Sequence, residues 1–112
     1  DLVGNSKRMG TYLYEQLHKL YNRKIVGDVR GGLGLLAAVE LVADRDNKTA
    51  FPPGAGLAKK LPEMLFDRNI VSFRAGDVIS ICPPLCISKG EIDFIVSAID
   101  GALEQLESAL GF

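Results

Sequence analysis

The thiol and imidazole side chains that most often bind zinc are few in this 112-residue sequence: two cysteines and one histidine. Cys82 and Cys86 flank Pro83-Pro84-Leu85, an extended stretch whose steps span about 13 Å, whereas disulfide-bonded residues have α-carbons within about 7 Å. We therefore expect free thiols and a reducing, cytoplasmic compartment. Because only His18 could join these cysteines, we expect no zinc or other metal site.

Arg30 precedes a glycine cluster, Gly31-Gly32-Leu33-Gly34, that could be taken for a phosphate-binding turn. Such turns bind anions when a helix follows, because the helix amino terminus supplies free amides and a favourable dipole. Here the apolar run 35–42 follows, which is typical of a strand. A structural hairpin turn is therefore favoured over a phosphate site.

Arg74 begins the segment Arg74-Ala75-Gly76-Asp77, whose composition is typical of a turn. A planar guanidinium can donate two parallel hydrogen bonds to a carboxylate, so an arginine is suited to binding a carboxylate-bearing substrate. From the spacing alone, the simpler interpretation is a surface pair with Asp77, which stabilises little when exposed.

The other polar side chains favour structural roles. His18, on the first predicted helix, is expected to be a solvated or capping histidine rather than a base. Glu40, within an apolar strand, is expected to face water or a partner domain. The lysines occupy polar positions that we expect to be solvated: Lys7, Lys19, Lys24, Lys48, Lys59, Lys60 and Lys89. No residue is assigned a catalytic or cofactor-binding role.

The composition indicates a soluble globular domain, with 47% hydrophobic and 24% charged residues. The net charge of −1 provides no basic field for nucleic acid or anionic lipid, so neither is expected as a partner. No apolar stretch approaches the roughly 20 residues of a membrane helix. The amino terminus has no apolar leader region and no initiator Met, so we expect a segment of a longer chain.

Apolar spacing and turn residues predict the order helix, hairpin, helix, hairpin, helix. Pro62 falls inside the second helix, where it would remove a hydrogen bond. Ser88-Lys89-Gly90-Glu91 is a capping box that begins the last helix. The prediction is a single α+β domain over 1–112, with a mostly antiparallel sheet whose helices cover one face. The predicted elements are a helix to about residue 22, strands within 25–30 and 35–42, a helix from 57, strands 70–73 and 78–81 joined by turn 74–77, and a helix from 88 to 110.

Three stretches in order resemble the carboxy-terminal small domain of class III pyridoxal-phosphate-dependent aminotransferases. The segment 26–41, with its Val-Gly-Asp-Val-Arg start and Val-Glu-Leu end, is similar to a hairpin of that family. The segment 74–85, with Arg-Ala-Gly-Asp-Val-Ile and Pro-Pro-Leu, is similar to a second motif, and the helix start 87–93 to a third. The resemblance covers nearly the whole chain. It departs at the glycine turn, which is one residue longer than usual, and at Pro62.

This resemblance implies the small domain of a fold-type-I transferase. It implies transfer of an amino group from an ω-amino acid or amine to a keto acid such as pyruvate, and a homodimer when full length. It further implies that Arg74 binds the substrate carboxylate. Pyridoxal phosphate, its Schiff-base lysine and the acid at its pyridine nitrogen would belong to a large domain outside this sequence. The alternative from the sequence is a freestanding small-molecule-binding or dimerisation module with a regulatory role.

Overall fold

The computed structural model describes residues 1–75 and 77–112, and for residues 73–75 it describes the backbone alone. Helix α1 spans Leu2–His18 and continues as a 3₁₀ turn, Lys19–Asn22. The Gly4 amide donates to the Asp1 side chain at 3.0 Å, which satisfies one free amide at the helix start. Leu13 and Leu17 are buried on its inner face.

A two-stranded hairpin follows, as the sequence predicts. Strand β1, Val26–Arg30, pairs antiparallel with β2, Ala37–Leu41, and Val29 lies opposite Val39. Gly32 and Gly34 in the connecting loop have φ values of 89° and 66°, a region that disfavours side chains. The glycine cluster therefore serves the turn between two strands.

Helix α2 spans Leu57–Phe66 and contains Pro62, as expected from the sequence. Its inner face buries Leu57, Leu61, Met64 and Leu65. This burial offsets the hydrogen bond that proline cannot donate. In the turn that follows the helix, Asn69 has a φ of 64° and the Ile70 amide donates to the Leu65 carbonyl at 2.9 Å.

The second hairpin consists of β3, Phe73–Ala75, and β4, Val78–Ile81. Two predicted boundaries here were wrong. The strand was expected over 70–73, but Ile70 is still part of the hydrogen bonding that ends α2. Arg74 was expected in a turn, but its backbone lies in β3 opposite Ile79, because a two-residue connection is enough to reverse an antiparallel pair.

Helix α3, Lys89–Leu110, begins with the predicted capping box. The Glu91 amide donates to Ser88 Oγ at 3.3 Å, and the Ser88 amide donates to Glu91 Oε1 at 3.1 Å. Gly101 lies inside the helix where a Cβ would be 3.0 Å from Arg68 Nε, so its missing side chain makes room for that arginine.

The four strands form one antiparallel sheet in the order β1-β2-β4-β3. In β2 and β4 the residues alternate between buried and partly exposed, so one face of the sheet joins the helices in the core and the other faces outwards. The predicted α+β fold is confirmed. The peptide bonds that precede Pro83 and Pro84 are trans.

Candidate functional site

Arg74 lies on β3, one of the two edge strands of the sheet. Its backbone pairs with Ile79, and its side chain lies outside the part that the structure describes, as does Gly76. The pairing of Arg74 with Asp77 therefore stays a prediction. The Asp77 carbonyl accepts a hydrogen bond from the Leu41 amide at 2.8 Å, which holds the tip of this hairpin against the end of β2.

An open cleft of about 990 Å³ lies beside this strand. Its walls are the segment that leads into β3, the end of β4 with the Pro-Pro segment, and the first turns of α3. Three of its apolar side chains are well exposed: Leu36 at 64%, Val71 at 88% and Phe94 at 52%. The cleft is therefore an apolar surface open to solvent.

Two polar side chains of the cleft, those of Glu91 and Ser72, form hydrogen bonds within the chain. Glu91 accepts hydrogen bonds from the Ser88 amide and hydroxyl at 3.1 and 2.9 Å. Ser72 Oγ donates to the Ser80 carbonyl at 3.3 Å. Cys82 and Cys86 are free and exposed, as predicted, and both line the cleft.

Asn5 fixes the Pro-Pro segment from the opposite side, a role that sequence reasoning missed. Its side-chain amide donates to the carbonyls of Leu85 at 2.7 Å and Ile87 at 3.1 Å. The contact joins residues 80 or more positions apart, so no local pattern could indicate it. The start of α1 thus holds the wall of the cleft in place.

Arg30 belongs to an ion-pair network on the outward face of the first hairpin. It donates to Asp28 at 2.8 Å and to Glu40 at 2.7 Å. The Tyr21 hydroxyl donates to Asp28 at 3.1 Å and accepts from the Val29 amide at 2.8 Å. The hydrogen bond from Arg30 is the main cause that lowers the pKa of Asp28. Arg30 therefore ties the hairpin together.

Two further arginines, for which no sequence pattern indicated a role, hold distant segments together. Arg23 pairs with Asp100 of α3 at 2.9 Å and with Glu107 at 3.4 Å. Arg45 donates to three backbone carbonyls at 2.6 to 2.9 Å, those of Tyr21, Arg23 and Val26. Arg23 lies between α1 and the first hairpin, and the Arg45 side chain reaches the same junction from the segment after β2.

The remaining candidates lie away from the cleft. His18 is exposed, and its ring packs edge-on against Tyr14 and Tyr21 at centroid distances of 5.9 and 4.8 Å. Within 1–75 and 77–112, no lysine lines the cleft. Over the same residues, no cluster of three His, Cys, Asp or Glu side chains is placed to hold a metal ion, and no helix has the length and apolarity to cross a membrane.

Known proteins resemble this chain over nearly its whole length. It is 37% identical to an uncharacterized aminotransferase of Sinorhizobium fredii, over 98% of this chain and 24% of the relative. It is 35% identical to a mitochondrial alanine–glyoxylate aminotransferase 2 homolog of Arabidopsis thaliana, over 94% of this chain and 22% of the relative. The chain thus spans about a quarter of the length of the curated relatives it matches.

Solved structures agree in fold. A transaminase with L-alanine superimposes with a TM-score of 0.91 at 39% identity, over 98% of this chain and 26% of that one. An (S)-enantioselective omega-transaminase from Thermomicrobium roseum gives a TM-score of 0.89 at 37% identity, over 94% and 23%. The family model described as aminotransferase class-III matches residues 1–103. Since that match extends over nearly the whole chain, the chain belongs to the class-III aminotransferase family.

Proposed function

We propose that this chain is the carboxy-terminal, substrate-side domain of a pyridoxal-phosphate-dependent aminotransferase that transfers an amino group from an ω-amino acid or amine to a keto acid such as pyruvate. The observation that carries the proposal is the class-III match over residues 1–103. Further support comes from the likeness to an omega-transaminase and from a chain that covers a quarter of its relatives. The full-length enzyme would be a cytoplasmic homodimer.

Arg74 is the residue we propose to bind the substrate carboxylate. It stands on the edge strand of the sheet, beside the open cleft rather than in the middle of the fold. A guanidinium there would orient an acid through two parallel hydrogen bonds. An amine substrate without a carboxylate would not need this contact.

We propose that pyridoxal phosphate is bound outside this chain. Within the described part, no lysine lines the cleft, and Lys60, which is partly buried, donates to the Ala55 carbonyl at 3.0 Å. We therefore assign the cofactor to the rest of the polypeptide and its partner subunit. The contribution of this domain would be to bind and orient the substrate.

The test is substitution of Arg74 in the polypeptide encoded by the full reading frame. Arg74→Ala should raise KM for carboxylate-bearing substrates by about 10- to 150-fold, the equivalent of about 1.5–3 kcal/mol for charge-assisted hydrogen bonds, and should leave simple amines unaffected. Arg8→Ala, at an exposed position on α1, is the matched control and should change neither. Equal losses for both substrate classes would remove the proposed role.

The alternative is a freestanding small-molecule-binding or dimerisation module, which the open apolar cleft also suits. The two are distinguished by the reading frame upstream of Asp1. A preceding domain roughly three times as long as this chain, with a Schiff-base lysine, would match the relatives' proportions. A start codon immediately before Asp1 would favour the module.

A further inference from the structure

We infer that Asn5 is a positioning residue, which fixes the β3–β4 hairpin and with it the backbone of Arg74 by holding the segment that leaves β4. The inference rests on the proposed function, because Arg74 is the residue proposed there to bind the substrate carboxylate. Asn5 acts through the hairpin and does not itself contact the substrate.

The segment 82–86, which follows β4, has little of its own to hold it in place. Ile81 and Ile87 on either side are buried, whereas none of the side chains from Cys82 to Cys86 is buried. The two prolines of the segment have no backbone amide to donate. The path of this stretch therefore depends on contacts from elsewhere in the chain.

Asn5 supplies such a contact from α1. Its side-chain amide donates to the Leu85 carbonyl at 2.7 Å and to the Ile87 carbonyl at 3.1 Å. Because one amide group holds two carbonyls that are two residues apart, it fixes the direction of the backbone between them as well as its position. The Ile87 amide donates to the Pro84 carbonyl at 3.0 Å, which closes a turn over the same stretch.

The segment that Asn5 holds and the strand that carries Arg74 meet at one end of the hairpin. In this antiparallel pair, Phe73 at the start of β3 lies opposite Ser80 near the end of β4. The Ser72 hydroxyl, just before β3, donates to the Ser80 carbonyl at 3.3 Å. The chain thus enters β3 and leaves β4 side by side, and Arg74 is the second residue of β3.

The hairpin is attached to the helices on both sides of this open end. On entry, the Ile70 amide donates to the Leu65 carbonyl at the end of α2, and on exit Asn5 holds residues 85 and 87 to α1. Among the strands that the structure describes, β3 pairs with β4 alone. A shift at the end of β4 is therefore passed to the backbone of Arg74.

The test combines two substitutions in the polypeptide encoded by the full reading frame. Asn5→Ala should raise KM for carboxylate-bearing substrates by about 3- to 10-fold, because a binding group that is slightly misplaced binds less well, and should leave KM for simple amines unchanged. In an Arg74→Ala background, Asn5→Ala should have no further effect on KM, because Asn5 acts through Arg74. Effects that multiply in the double variant would overturn the inference, and so would equal effects of Asn5→Ala on acids and amines.

Two further variants separate the hydrogen bonds from the shape of the side chain. Asn5→Asp keeps the size of the side chain but removes both donors, while an acid near the start of α1 favours the helix. It should raise KM for acids at least as much as Asn5→Ala, and a KM equal to that of the parent would overturn the inference. Asn47→Ala is the matched control, since Asn47 donates to Asp44 at 2.7 Å in an exposed loop outside the cleft. It should change neither KM, and a rise equal to that for Asn5→Ala would count against a specific role of Asn5.

Amide hydrogen exchange provides a readout that does not depend on activity. In Asn5→Ala, exchange followed by mass spectrometry should be about 5-fold faster in peptides from β4 and from residues 85–87, the factor that corresponds to one hydrogen bond of about 1 kcal/mol, and unchanged in β1. Unchanged exchange in β4 would refute the positioning role whether or not the enzyme is active. A parent protein without transaminase activity would instead refute the proposed function, and the exchange rates alone would then decide whether Asn5 holds the hairpin.

Discussion

The contact between α1 and the glycine loop provides the sharpest test of the packing. A Cβ added at Gly10 would lie 2.1 Å from the Gly34 carbonyl oxygen and 2.4 Å from its carbon. Both are backbone atoms, so no side chain can rotate away. Ordinary contact begins at 3.4 Å, so the helix and the loop would have to separate by more than about 1 Å. We therefore expect Gly10→Ala to disturb the fold.

Two opposing contributions set the change in unfolding free energy for Gly10→Ala: the cost of overpacking and the gain in helix propensity. Overpacking a tight contact costs about 1–3 kcal/mol, and a clash with backbone places this site at the upper end. Alanine in a helix gains about 1 kcal/mol over glycine. The net loss for Gly10→Ala should therefore be about 2 kcal/mol. Gly90→Ala is the matched control, because it is also a helical glycine but a Cβ there would meet no atom within 4 Å. It should gain about 0.4–1 kcal/mol.

The assay is urea-induced unfolding followed by circular dichroism. For a slope of about 2 kcal/mol per M, Gly10→Ala should lower the midpoint by roughly 1 M, and Gly90→Ala should raise it slightly. Midpoint shifts of opposite sign for the two variants would exclude a general effect of adding a methyl group to a helix. A Gly10→Ala protein as stable as the parent would refute the close approach of α1 and the loop.

Three other substitutions test the polar contacts. Arg23→Lys should lower the unfolding free energy by about 1–1.5 kcal/mol, because the pairing with Asp100 and Glu107 is only partly buried. Glu104→Gln, whose side chain is 70% exposed, should change it by less than about 0.5 kcal/mol. Similar values for the two variants in urea titrations would contradict the partly buried pairing. Arg45→Lys should cost about 1–3 kcal/mol in the same assay, since an ammonium cannot reach three carbonyls at once. The pKa of Asp28 lies below its usual 3.8 because Arg30 donates to it, so its ionised form stabilises the fold above that pH and the contribution is lost as the pH falls. Asp28→Asn should therefore weaken the loss of stability on acidification, by less than about 1 kcal/mol for an exposed pair, and an unchanged acid profile would contradict this.

The sequence by itself determined the elements and their order. The periodic apolar residues of the last helix and its capping box placed the start of α3 correctly, because these signals act over three or four residues. The run 35–42 after the glycine cluster indicated a strand and hence a hairpin, which the structure confirms. The ordered motifs also indicated the family, which the class-III match now shows.

Tertiary structure alone decided which residues meet across the chain. Asn5 holds the carbonyl of Leu85, and Arg23 pairs with Asp100, yet neither pairing has a local pattern that could reveal it. The same holds for the strand boundary at Arg74, where hydrogen bonds to β4 extended the strand into a segment with turn composition. Local propensity favours a conformation by a few tenths of a kcal/mol per residue, whereas cross-strand hydrogen bonds and burial act together over a whole element, so the packed fold outweighs the local preference.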